Sequence, residues 1–593
     1  MSTRGYPRPQ LVREQWQTLE GPWDFAMDAE RARHPDEVSW KSQILIPFAP
    51  ETKASGIGNT GFHPVCWYRR MLATPLHTPE QRVILHFGAV DYSARVWVNG
   101  VFVTSHRGGY TPFHVDITDQ LDGDRVTIAV RAEDDPQDLA MPRGKQDWHL
   151  EPHAIWYPRT TGIWQTVWLE TVNEVHIGRI LWKPNLVRWE VGFESWLEGP
   201  YRDDISVNLR LSCKGKMLAS DRYAVVHNEV HRRIALSDPG IDDYRNELLW
   251  SPGQPRLIEA ELELVTNRGE VIDRVRSYTA LRAIGLEGDR FVLNGRPYQL
   301  RLVLDQGYWP DTGMTAPDDL ALRKDVELAK AMGFNGVRKH QKLEDPRYLY
   351  WADRLGLLVW EEMPSAYRFS LDSVDRVSDE WKAAILRDMS HPCIVAWVPL
   401  NESWGVPNLP QNVFERHYVQ ALYFLTKTLD PTRPVIGNDG WEGVSTDIIG
   451  IHDYEPDPER LAHRYHADRV LPHLLTKERP GGRTLFLGDH PREPHPMVLS
   501  EFGGAALSQP GVWAYQQFAT TEELAKHYVK LMGVVHSLGM LAGFCYTQFA
   551  DTYQEANGLL YADRRPKYPL EIIRSATKGP WHERDPELEI DAG

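Results

Sequence analysis

The sequence predicts a multidomain β plus α/β protein: an N-terminal β jelly roll, an immunoglobulin-like β-sandwich and a C-terminal (β/α)8 TIM barrel. Residues up to about 283 alternate apolar and polar side chains with the period of a strand. After that point, short apolar runs alternate with segments of helical period. A chain of 593 residues has room for three domains or more. We therefore expect domains at 1–172, 173–283 and 284–593.

The two β domains are predicted from alternation and turn residues. Residues 95–103 alternate on both sides of Asn99 and Gly100, a combination typical of a β-hairpin. Residues 125–130 and 166–172 alternate as well, which suits a jelly roll or sandwich ending near residue 172. A second alternating block runs through 207–211 and 260–264, with the length of an immunoglobulin-like sandwich. The polar stretch 285–289 is interpreted as a boundary.

The barrel is predicted from repeated βα units, and a doubly wound sheet is the alternative. The predicted strands are 298–304, 336–340, 357–363, 394–400, 448–454, 497–502 and 541–549, and the predicted helices are 318–332, 346–355, 419–429 and 522–538. In a barrel, catalytic side chains follow the carboxyl ends of the strands. Those positions are therefore the first place to look for a site.

Composition excludes several classes of function. The net charge of −16 argues against general nucleic-acid binding and against docking on anionic lipid. No apolar run is long enough to span a membrane, and no signal-peptide core follows the N-terminus, so a cytoplasmic location is expected. The four cysteines are far apart in sequence, which indicates neither a disulfide framework nor a zinc knuckle. The chain has 22 tryptophans; most should pack in cores, and some are candidates to stack on sugar rings.

Two glutamates directly follow apolar barrel strands. The strand at 394–400 is followed by Asn401 and Glu402, and the strand that begins at Met497 leads into Glu501. Two carboxylates on opposite sides of one cleft are the equipment of glycoside hydrolysis. The alternative interpretation is a pair of structural salt bridges at the barrel rim.

Motifs along nearly the whole chain resemble those of glycoside hydrolase family 2, which holds β-galactosidases, β-glucuronidases and β-mannosidases. The resemblance is carried by WVPLNES at 397–403, SEFGG at 500–504, GFNGVR at 333–338, RLGLLVWEE at 354–362, FGAVDY at 87–92, VNG at 98–100, GGYTPF at 108–113 and TGIWQ at 161–165. It implies the jelly roll, sandwich and barrel in the family's order.

The resemblance implies double displacement with retention of configuration. Glu501 would be the nucleophile and Glu402 the acid/base. Asn401 would bond the sugar 2-hydroxyl, and Arg338 would lower the pKa of the nucleophile. Tyr454 could donate to Glu501. His452 and Trp404 are weaker candidates for supporting the substrate.

The sequence departs from the familiar members where hydroxyl groups are recognised. Trp156 stands where β-galactosidases and β-glucuronidases carry an Asp before the closing turn. The first and second barrel strands also end differently, which makes Asp305, Gln306, Lys339 and His340 candidate sugar contacts. The Asn-x-Lys motif of glucuronidases and the Glu and His that bind magnesium in large β-galactosidases are not matched. No metal or other cofactor is therefore expected.

The favoured substrate is a terminal β-galactoside of an oligosaccharide or glycoconjugate. A β-galactofuranosidase, an arabinosidase and a β-uronidase are the alternatives within the family, and Lys339 or Lys342 could then take the place of the missing lysine. A non-catalytic carbohydrate-binding protein and a metal-dependent hydrolase are alternatives from other classes. The residues at 480–496 should form a loop over the barrel mouth, with a metal cluster at His490, Glu493 and His495 as the alternative. A homo-oligomer formed through the β domains is plausible.

Overall fold

The protein is described by a computed structural model covering residues 5–27, 31–466, 480–487 and 495–579. His490 and Glu493 lie outside these residues. The first β region holds β1 (Trp16–Thr18), β2 (Gly21–Met27), β3 (Ser42–Ile46), β4 (Val65–Ala73), β5 (Gln81–Phe87), β6 (Val90–Asp91), β7 (Ser93–Val98), β8 (Val101–Arg107), β9 (Phe113–Asp116), β10 (Arg125–Glu133), β11 (Gly162–Ile163) and β12 (Val167–Asn173).

Two antiparallel sheets of the first region enclose one apolar core. Their strand orders are β1-β12-β5-β9 and β3-β2-β4-β10-β7-β8. Phe25, Tyr68 and Phe87 are buried in the core that both sheets share. The predicted hairpin is confirmed as β7 and β8, and its turn residues Asn99 and Gly100 both have positive φ, at 50° and 79°. Such a turn matches the twist of the strands that it joins.

The second β region is a separate sandwich of seven strands. They are β13 (His176–Asn185), β14 (Glu190–Glu198), β15 (Ile205–Cys213), β16 (Lys216–Ala224), β17 (Glu229–Ala235), β18 (Ile258–Thr266) and β19 (Val271–Thr279), with the short helix α1 (Asp242–Asn246) between β17 and β18. Sheets of order β13-β14-β17 and β16-β15-β18-β19 bury Phe193, Val207 and Leu262 between them. Because each β region has its own core, we retain the boundaries near residues 172 and 283 as our proposal.

A double hairpin, which forms a small antiparallel sheet, leads into the barrel. It consists of three strands, β20 (Ile284–Glu287), β21 (Arg290–Leu293) and β22 (Arg296–Pro297). The polar stretch 285–289, interpreted above as a boundary, lies within this hairpin. Phe291 and Leu293 of β21 are buried in the same apolar cluster as the barrel strands. The hairpin therefore belongs with the barrel in packing terms.

A seven-stranded parallel sheet forms the wall of the barrel. The remaining strands are β23 (Leu300–Asp305), β24 (Gly336–Lys339), β25 (Leu358–Glu362), β26 (Ile394–Val398), β27 (Ile449–His452), β28 (Met497–Gly503), β29 (Ala505–Leu507), β30 (Gln516–Phe518) and β31 (Leu541–Thr547). The order of the parallel sheet is β26-β25-β24-β23-β31-β28-β27, so all seven predicted barrel strands are confirmed. Residues 434–439, which were not predicted as a strand, pair with β26 in parallel through Val435 and so take the fifth position.

Helices follow the barrel strands, and capping residues mark where several of them begin and end. They are α2 (Asp319–Ala331), α3 (Pro346–Leu355), α4 (Leu371–Asp388), α5 (Val413–Leu429), α6 (Pro458–Arg464), α7 (Thr521–Ser537) and α8 (Leu570–Lys578). The Asp345 side chain caps α3, and Gly356 ends it in the left-handed conformation. Helix α4 was not among the predicted helices; Ser370 and Ser373 form a capping box at its start. Among the residues described, no helix is both long enough and apolar enough to cross a membrane.

The first β region reaches over the carboxyl end of the barrel. The backbone N–H of Tyr367 donates to Leu139, and that of Gly144 donates to Ser365, just past β25. The side chain of Glu380 on α4 accepts the N–H of Tyr110 at 2.6 Å. These contacts place residues 139–157 at the barrel mouth, next to the strand ends where the candidate site lies. The four cysteines are all buried and unbridged.

Candidate active site

The predicted catalytic residues come together at the carboxyl ends of the barrel strands. Arg338 lies on β24, Glu402 follows β26, His452 ends β27 and Glu501 lies on β28. One carboxylate oxygen of Glu402 lies within 4.8 Å of one of Glu501. The side chain of Glu501 is 5% exposed and that of Glu402 is 14% exposed. The two carboxylates therefore face one small space, and Glu402 lies nearer to solvent.

The backbone at Glu402 is held in an unusual conformation. Glu402 and Ser403 have φ values of 52° and 58°, which cost a non-glycine residue about 1–3 kcal/mol. The N–H of Glu402 donates to the carbonyl of Asp439 at 2.9 Å, and the N–H of Ser403 donates to Asn438 at 3.0 Å. The Ser403 hydroxyl also donates to Glu442 at 2.7 Å. These bonds fix the turn that directs Glu402 into the site.

Glu501 is surrounded by donors that favour its ionised form. Nη1 of Arg338 donates to its Oε1 at 2.6 Å, and the Tyr454 hydroxyl donates to its Oε2 at 2.5 Å. Burial alone would raise the pKa of Glu501, but the positive charges of His452 and Arg338 lower it to about 2. Glu501 is thus a carboxylate at neutral pH, as a nucleophile must be.

His452 lies between the two glutamates. Its Nδ1 is 2.7 Å from Oε1 of Glu402, and its Nε2 is 3.4 Å from Oε1 of Glu501 and 3.5 Å from Oδ2 of Asp439. Burial would lower the pKa of His452, but the carboxylates of Glu501, Asp439 and Glu402 raise it to about 10. The imidazole is therefore a cation that donates to the acid/base candidate on one side and faces the nucleophile candidate on the other.

Arg338 is fully buried and neutralised by carboxylates that the sequence argument did not single out. Its Nη2 lies 2.5 Å from Oε2 of Glu362 and 3.2 Å from Oδ2 of Asp439. The charge of Arg338 lowers the pKa values of Glu362 and Asp439 against the effect of burial. Because Asp439 lies on the unpredicted fifth strand, no pattern in the sequence associated it with the site.

Asn401 has one amide atom engaged and one without a protein partner. Its Oδ1 accepts from Nη2 of Arg338 at 2.6 Å, which fixes the orientation of the amide. Its Nδ2 is buried and makes no hydrogen bond within the described residues. A buried donor without a partner costs stability unless a ligand supplies the acceptor. Asn401 therefore offers a free donor to a ligand in this site.

The residues predicted to contact sugar hydroxyls have other partners in the structure. Nζ of Lys339 lies 2.7 Å from Asp305 and 2.8 Å from Glu344, and Nζ of Lys342 lies 2.9 Å from Glu344. All of these groups are buried. These groups form a buried cluster of ion pairs with one another. We therefore do not propose Lys339, Lys342 or Asp305 as substrate contacts.

His340 and Gln306 also have protein partners. Nδ1 of His340 lies 3.0 Å from Glu362 and 3.9 Å from Oε1 of Glu501, so His340 remains beside the nucleophile candidate. Nε2 of Gln306 donates to Gln548 at 2.8 Å. His340 thus keeps a position from which it can influence the nucleophile candidate.

Four aromatic residues form one side of the mouth, which we call the aromatic wall: Trp148, Trp156, Tyr367 and Trp404. Trp156 donates to the Tyr367 hydroxyl at 2.8 Å, and its ring lies 6.3 Å from that of Trp404. The rings of Trp148 and Tyr367 are 4.9 Å apart. The wall thus joins the first β region to the residue two positions after Glu402. Trp156 and Trp404 were predicted, whereas Trp148 and Tyr367 were not.

A lysine of the first β region was also missed. Lys145 is buried, with Nζ 5.3 Å from the ring centre of Tyr157 and 5.7 Å from that of Trp404. Within the described residues its salt-bridge partner is Glu555, at 3.9 Å. It lies far in sequence from every strand-end motif, so only the fold brings it to the mouth.

Two clusters at the barrel contain metal-binding residue types, and their side chains contact one another directly. Glu402, His452 and Glu501 form the first, in which the imidazole lies 2.7 Å from Glu402 and 3.4 Å from Glu501. Asp353, His391 and Cys393 form the second. There the carboxylate accepts from the imidazole at 2.6 Å and from the Cys393 N–H at 2.7 Å, and burial raises the pKa of the thiol.

The chain is similar in sequence to known glycosidases. It is 27% identical over 383 residues to a β-galactosidase of Thermoanaerobacter pseudethanolicus, covering 63% of this chain and 48% of that protein. It is 26% identical over 548 residues to the β-glucuronidase of Sus scrofa, covering 85% and 79%. This chain thus spans about half the length of the bacterial relative and most of the mammalian one.

Solved structures and family models agree with this similarity. A Bifidobacterium dentium β-glucuronidase in complex with coumarin-3-O-glucuronide has a TM-score of 0.78 at 20% identity, with 97% of this chain and 99% of that chain covered. A β-galacturonidase of Eisenbergiella tayi bound to galacturonate has a TM-score of 0.73 at 20% identity, with the same coverage. Residues 55–169 match the family model "Glycosyl hydrolases family 2, sugar binding domain", and residues 284–579 match "Glycosyl hydrolases family 2, TIM barrel domain". The chain therefore belongs to glycoside hydrolase family 2, and residues 284–579 form the TIM barrel domain of that family.

Proposed function

We propose that the protein is an exo-acting β-glycosidase that works by double displacement with retention of configuration. The observation that carries this proposal is the spacing of Glu402 and Glu501, whose carboxylates approach within 4.8 Å. Retaining enzymes hold the two carboxyl groups about 5–5.5 Å apart, whereas inverting enzymes need about 6.5–9.5 Å to admit a water molecule. The spacing supports a direct attack on the sugar by one carboxylate.

In the first step, Glu501 attacks the anomeric carbon and forms a glycosyl ester. The bond to the leaving oxygen breaks, and that oxygen takes a proton from Glu402. Arg338 and Tyr454 hold the attacking carboxylate through its two oxygens, which limits the orientations available to it. The free Nδ2 of Asn401 supplies a donor for the sugar 2-hydroxyl.

In the second step, Glu402 removes a proton from water, and the water oxygen displaces Glu501 from the anomeric carbon. The Glu402 carboxylate that results from the first step accepts a hydrogen bond from the His452 cation at its Oε1. Its other oxygen stays available for proton transfer. The sugar leaves with its original β configuration, and both glutamates return to their starting states.

The test of this mechanism is the stereochemistry of the first product together with two variants. Proton NMR during hydrolysis should show the β-anomer first, followed by mutarotation. Glu501→Gln should abolish turnover. Glu402→Gln should slow glycosides with poor leaving groups far more than a 2,4-dinitrophenyl glycoside, whose phenolate leaves without a proton. An α-anomer as first product, or turnover by Glu501→Gln, would contradict the proposal.

For the sugar, we propose terminal β-galactosides first. The lysines that could have recognised a carboxylate on the barrel strands, Lys339 and Lys342, are neutralised by Glu344 and Asp305. This supports a neutral sugar, as does a relative named β-galactosidase. A galactofuranoside and an α-L-arabinoside remain alternatives with a neutral ring.

A second candidate is a β-uronide, and Lys145 is the observation that favours it. A buried ammonium among aromatic rings, with its carboxylate partner as far as 3.9 Å away, is suited to pair with a carboxylate of the substrate. Relatives named β-glucuronidase and β-galacturonidase agree with such a substrate. In this case Lys145 would replace the lysine of the missing Asn-x-Lys motif.

A panel of aryl glycosides distinguishes the candidates: β-galactopyranoside, β-glucuronide, β-galacturonide, β-mannoside, β-glucoside, β-galactofuranoside and both α-L-arabinosides. Lys145→Met is assayed beside the wild type. The matched control is Lys183→Met, because Lys183 is an exposed lysine of the sandwich. If a uronide is the substrate, Lys145→Met should lower its kcat/KM by at least about 30-fold, since removing one partner of a buried charge pair costs about 2–5 kcal/mol. If a neutral glycoside is preferred, Lys145→Met should change the kcat/KM for that glycoside by no more than a few-fold. No cleavage of any substrate would favour the carbohydrate-binding alternative.

A further inference from the structure

Residues 147–157 form a closed loop at the barrel mouth, and it carries a cluster of three metal-binding side chains: Asp147, His149 and His153. The loop is closed at its base by a backbone bond from the N–H of Asp147 to the carbonyl of Tyr157, at 2.9 Å. The Asp147 side chain is fully buried, whereas those of His149 and His153 are 57% and 42% exposed. The cluster therefore has one buried anchor and an open side toward solvent.

The Nδ1 atoms of both imidazoles converge on the carboxylate of Asp147. Nδ1 of His149 lies 3.1 Å from Nδ1 of His153 and 3.2 Å from Oδ1 of Asp147. Nδ1 of His153 lies 2.7 Å from Oδ2 of Asp147. If both imidazoles donate to the carboxylate, two N–H groups face each other. If only one imidazole donates, its N–H is shared between the carboxylate and the lone pair of the other imidazole. A cation between the three atoms would satisfy all of them.

The N–N distance of 3.1 Å and the N–O distance of 3.2 Å lie close to those between the ligands of a zinc ion, whereas the 2.7 Å contact to the second carboxylate oxygen has the length of a hydrogen bond. Zinc with Zn–N bonds of about 2.0–2.1 Å in tetrahedral geometry places neighbouring ligand atoms about 3.3 Å apart. Two imidazoles and one carboxylate are ligands that zinc accepts, and the exposed side leaves a fourth position for water. The Asp147 oxygens also accept the backbone N–H groups of His149 and His153 at 2.8 Å each, which orients the carboxylate as a supporting bond would.

We propose that Asp147, His149 and His153 form a binding site for one Zn²⁺ ion that holds the loop 147–157 in place. The site goes beyond the proposed hydrolytic function and takes no part in bond breaking. Its consequence is positional, because the loop supplies Trp148 and Trp156 to the aromatic wall. The His153 ring stacks on Trp156 at 4.9 Å, so a ligand that fixes His153 also fixes Trp156.

The test is zinc binding by the full chain after treatment with EDTA and removal of the chelator. Isothermal titration with ZnCl₂ should give one site per chain, and thermal unfolding should shift to higher temperature as zinc is added. His149→Ala and His153→Ala should each weaken binding by at least about 100-fold, since even the loss of an outer-shell partner costs 10–100-fold. Cobalt(II) in place of zinc should give the visible absorption of a low-coordinate site in the wild type only.

The matched control is His231→Ala. This half-exposed histidine of the sandwich also contacts a carboxylate, Glu229 at 2.9 Å, and it lies in no three-residue cluster of the described chain. It should bind zinc like the wild type. Equal zinc affinity in His149→Ala, His153→Ala and the wild type would overturn the proposal, because the ion would then bind elsewhere. Absence of stoichiometric binding to the wild type would overturn it as well.

Discussion

Replacing His452 by glutamine should raise the pKa of the nucleophile and make the enzyme sensitive to mild acid. Nε2 of His452 lies 3.4 Å from Oε1 of Glu501. With an effective dielectric constant of about 20, a unit charge at that distance contributes about 5 kcal/mol, which would raise the pKa of Glu501 from about 2 to about 5.5. Because a depressed pKa keeps the carboxylate ionised at low pH, its loss appears on the acid side of the pH profile.

The assay is kcat/KM against pH for a 2,4-dinitrophenyl glycoside, since that leaving group needs no proton from Glu402. Wild-type activity should stay level down to about pH 4, whereas His452→Gln should lose about 25-fold between pH 6 and pH 4. Tyr454→Phe is the matched control. It removes from the same carboxylate a hydrogen bond with an uncharged donor, worth about 1.5–3 kcal/mol, so the acid side of its pH profile should lie between those of the wild type and His452→Gln. Superimposable profiles for His452→Gln and the wild type would refute the reasoning.

Three further predictions concern the surroundings of the catalytic pair. Arg338→Met leaves buried carboxylates unpaired and should lower the free energy of unfolding by about 3–5 kcal/mol, measured by urea unfolding; an unchanged midpoint would contradict the buried pairing. Asn401→Ala should lower kcat/KM by about 100-fold for an ordinary glycoside and by only a few-fold for its 2-deoxy analogue; equal losses would exclude the 2-hydroxyl contact. Gly450→Ala places a Cβ against the carboxylate of Asp439 and should destabilise the protein by about 1–3 kcal/mol in thermal unfolding. Gly285→Ala, which meets open space, should have little effect, and equal stability of the two variants would contradict the close packing.

The barrel and the position of the two candidate catalytic glutamates were predictable because the signal is local. An apolar run followed by a carboxylate marks both a buried parallel strand and its functional end. The fifth strand lacks that signal. Residues 434–439 hold only two consecutive strongly apolar side chains, Val435 and Ile436, between a proline and a glycine. Its pairing with β26 depends on neighbours in space, so Asp439 could not be associated with Arg338 in advance.

The roles of Lys339 and His340 illustrate a second limit. Successive side chains of a strand point to opposite faces, so Arg338 and His340 face the catalytic glutamates while Lys339 faces the other way. There Lys339 lies beside Asp305 of the neighbouring strand, its register partner. The two-residue period of a strand would have assigned Lys339 to one face and His340 to the other. The sequence argument instead grouped them by chemical type.

His452 and the loop 147–157 were undervalued for a different reason. A histidine at a strand end has no distinguishing sequence pattern, and its cationic state here results from three carboxylates brought from other strands. Lys145 and Trp148 belong to the first β region, and they reach the mouth only because that region docks on the barrel. Contacts over such separations depend on the assembled fold.

The most direct test of the central claim is to trap the covalent intermediate. The 2-deoxy-2-fluoro glycosyl fluoride of the sugar that the wild type prefers should inactivate the enzyme with time, because the fluorine slows both steps and the fluoride leaves readily. Peptide mapping by mass spectrometry should then find the added sugar on Glu501, which is ionised and held by Arg338 and Tyr454. A label on Glu402, or steady hydrolysis with no labelled peptide, would contradict the account.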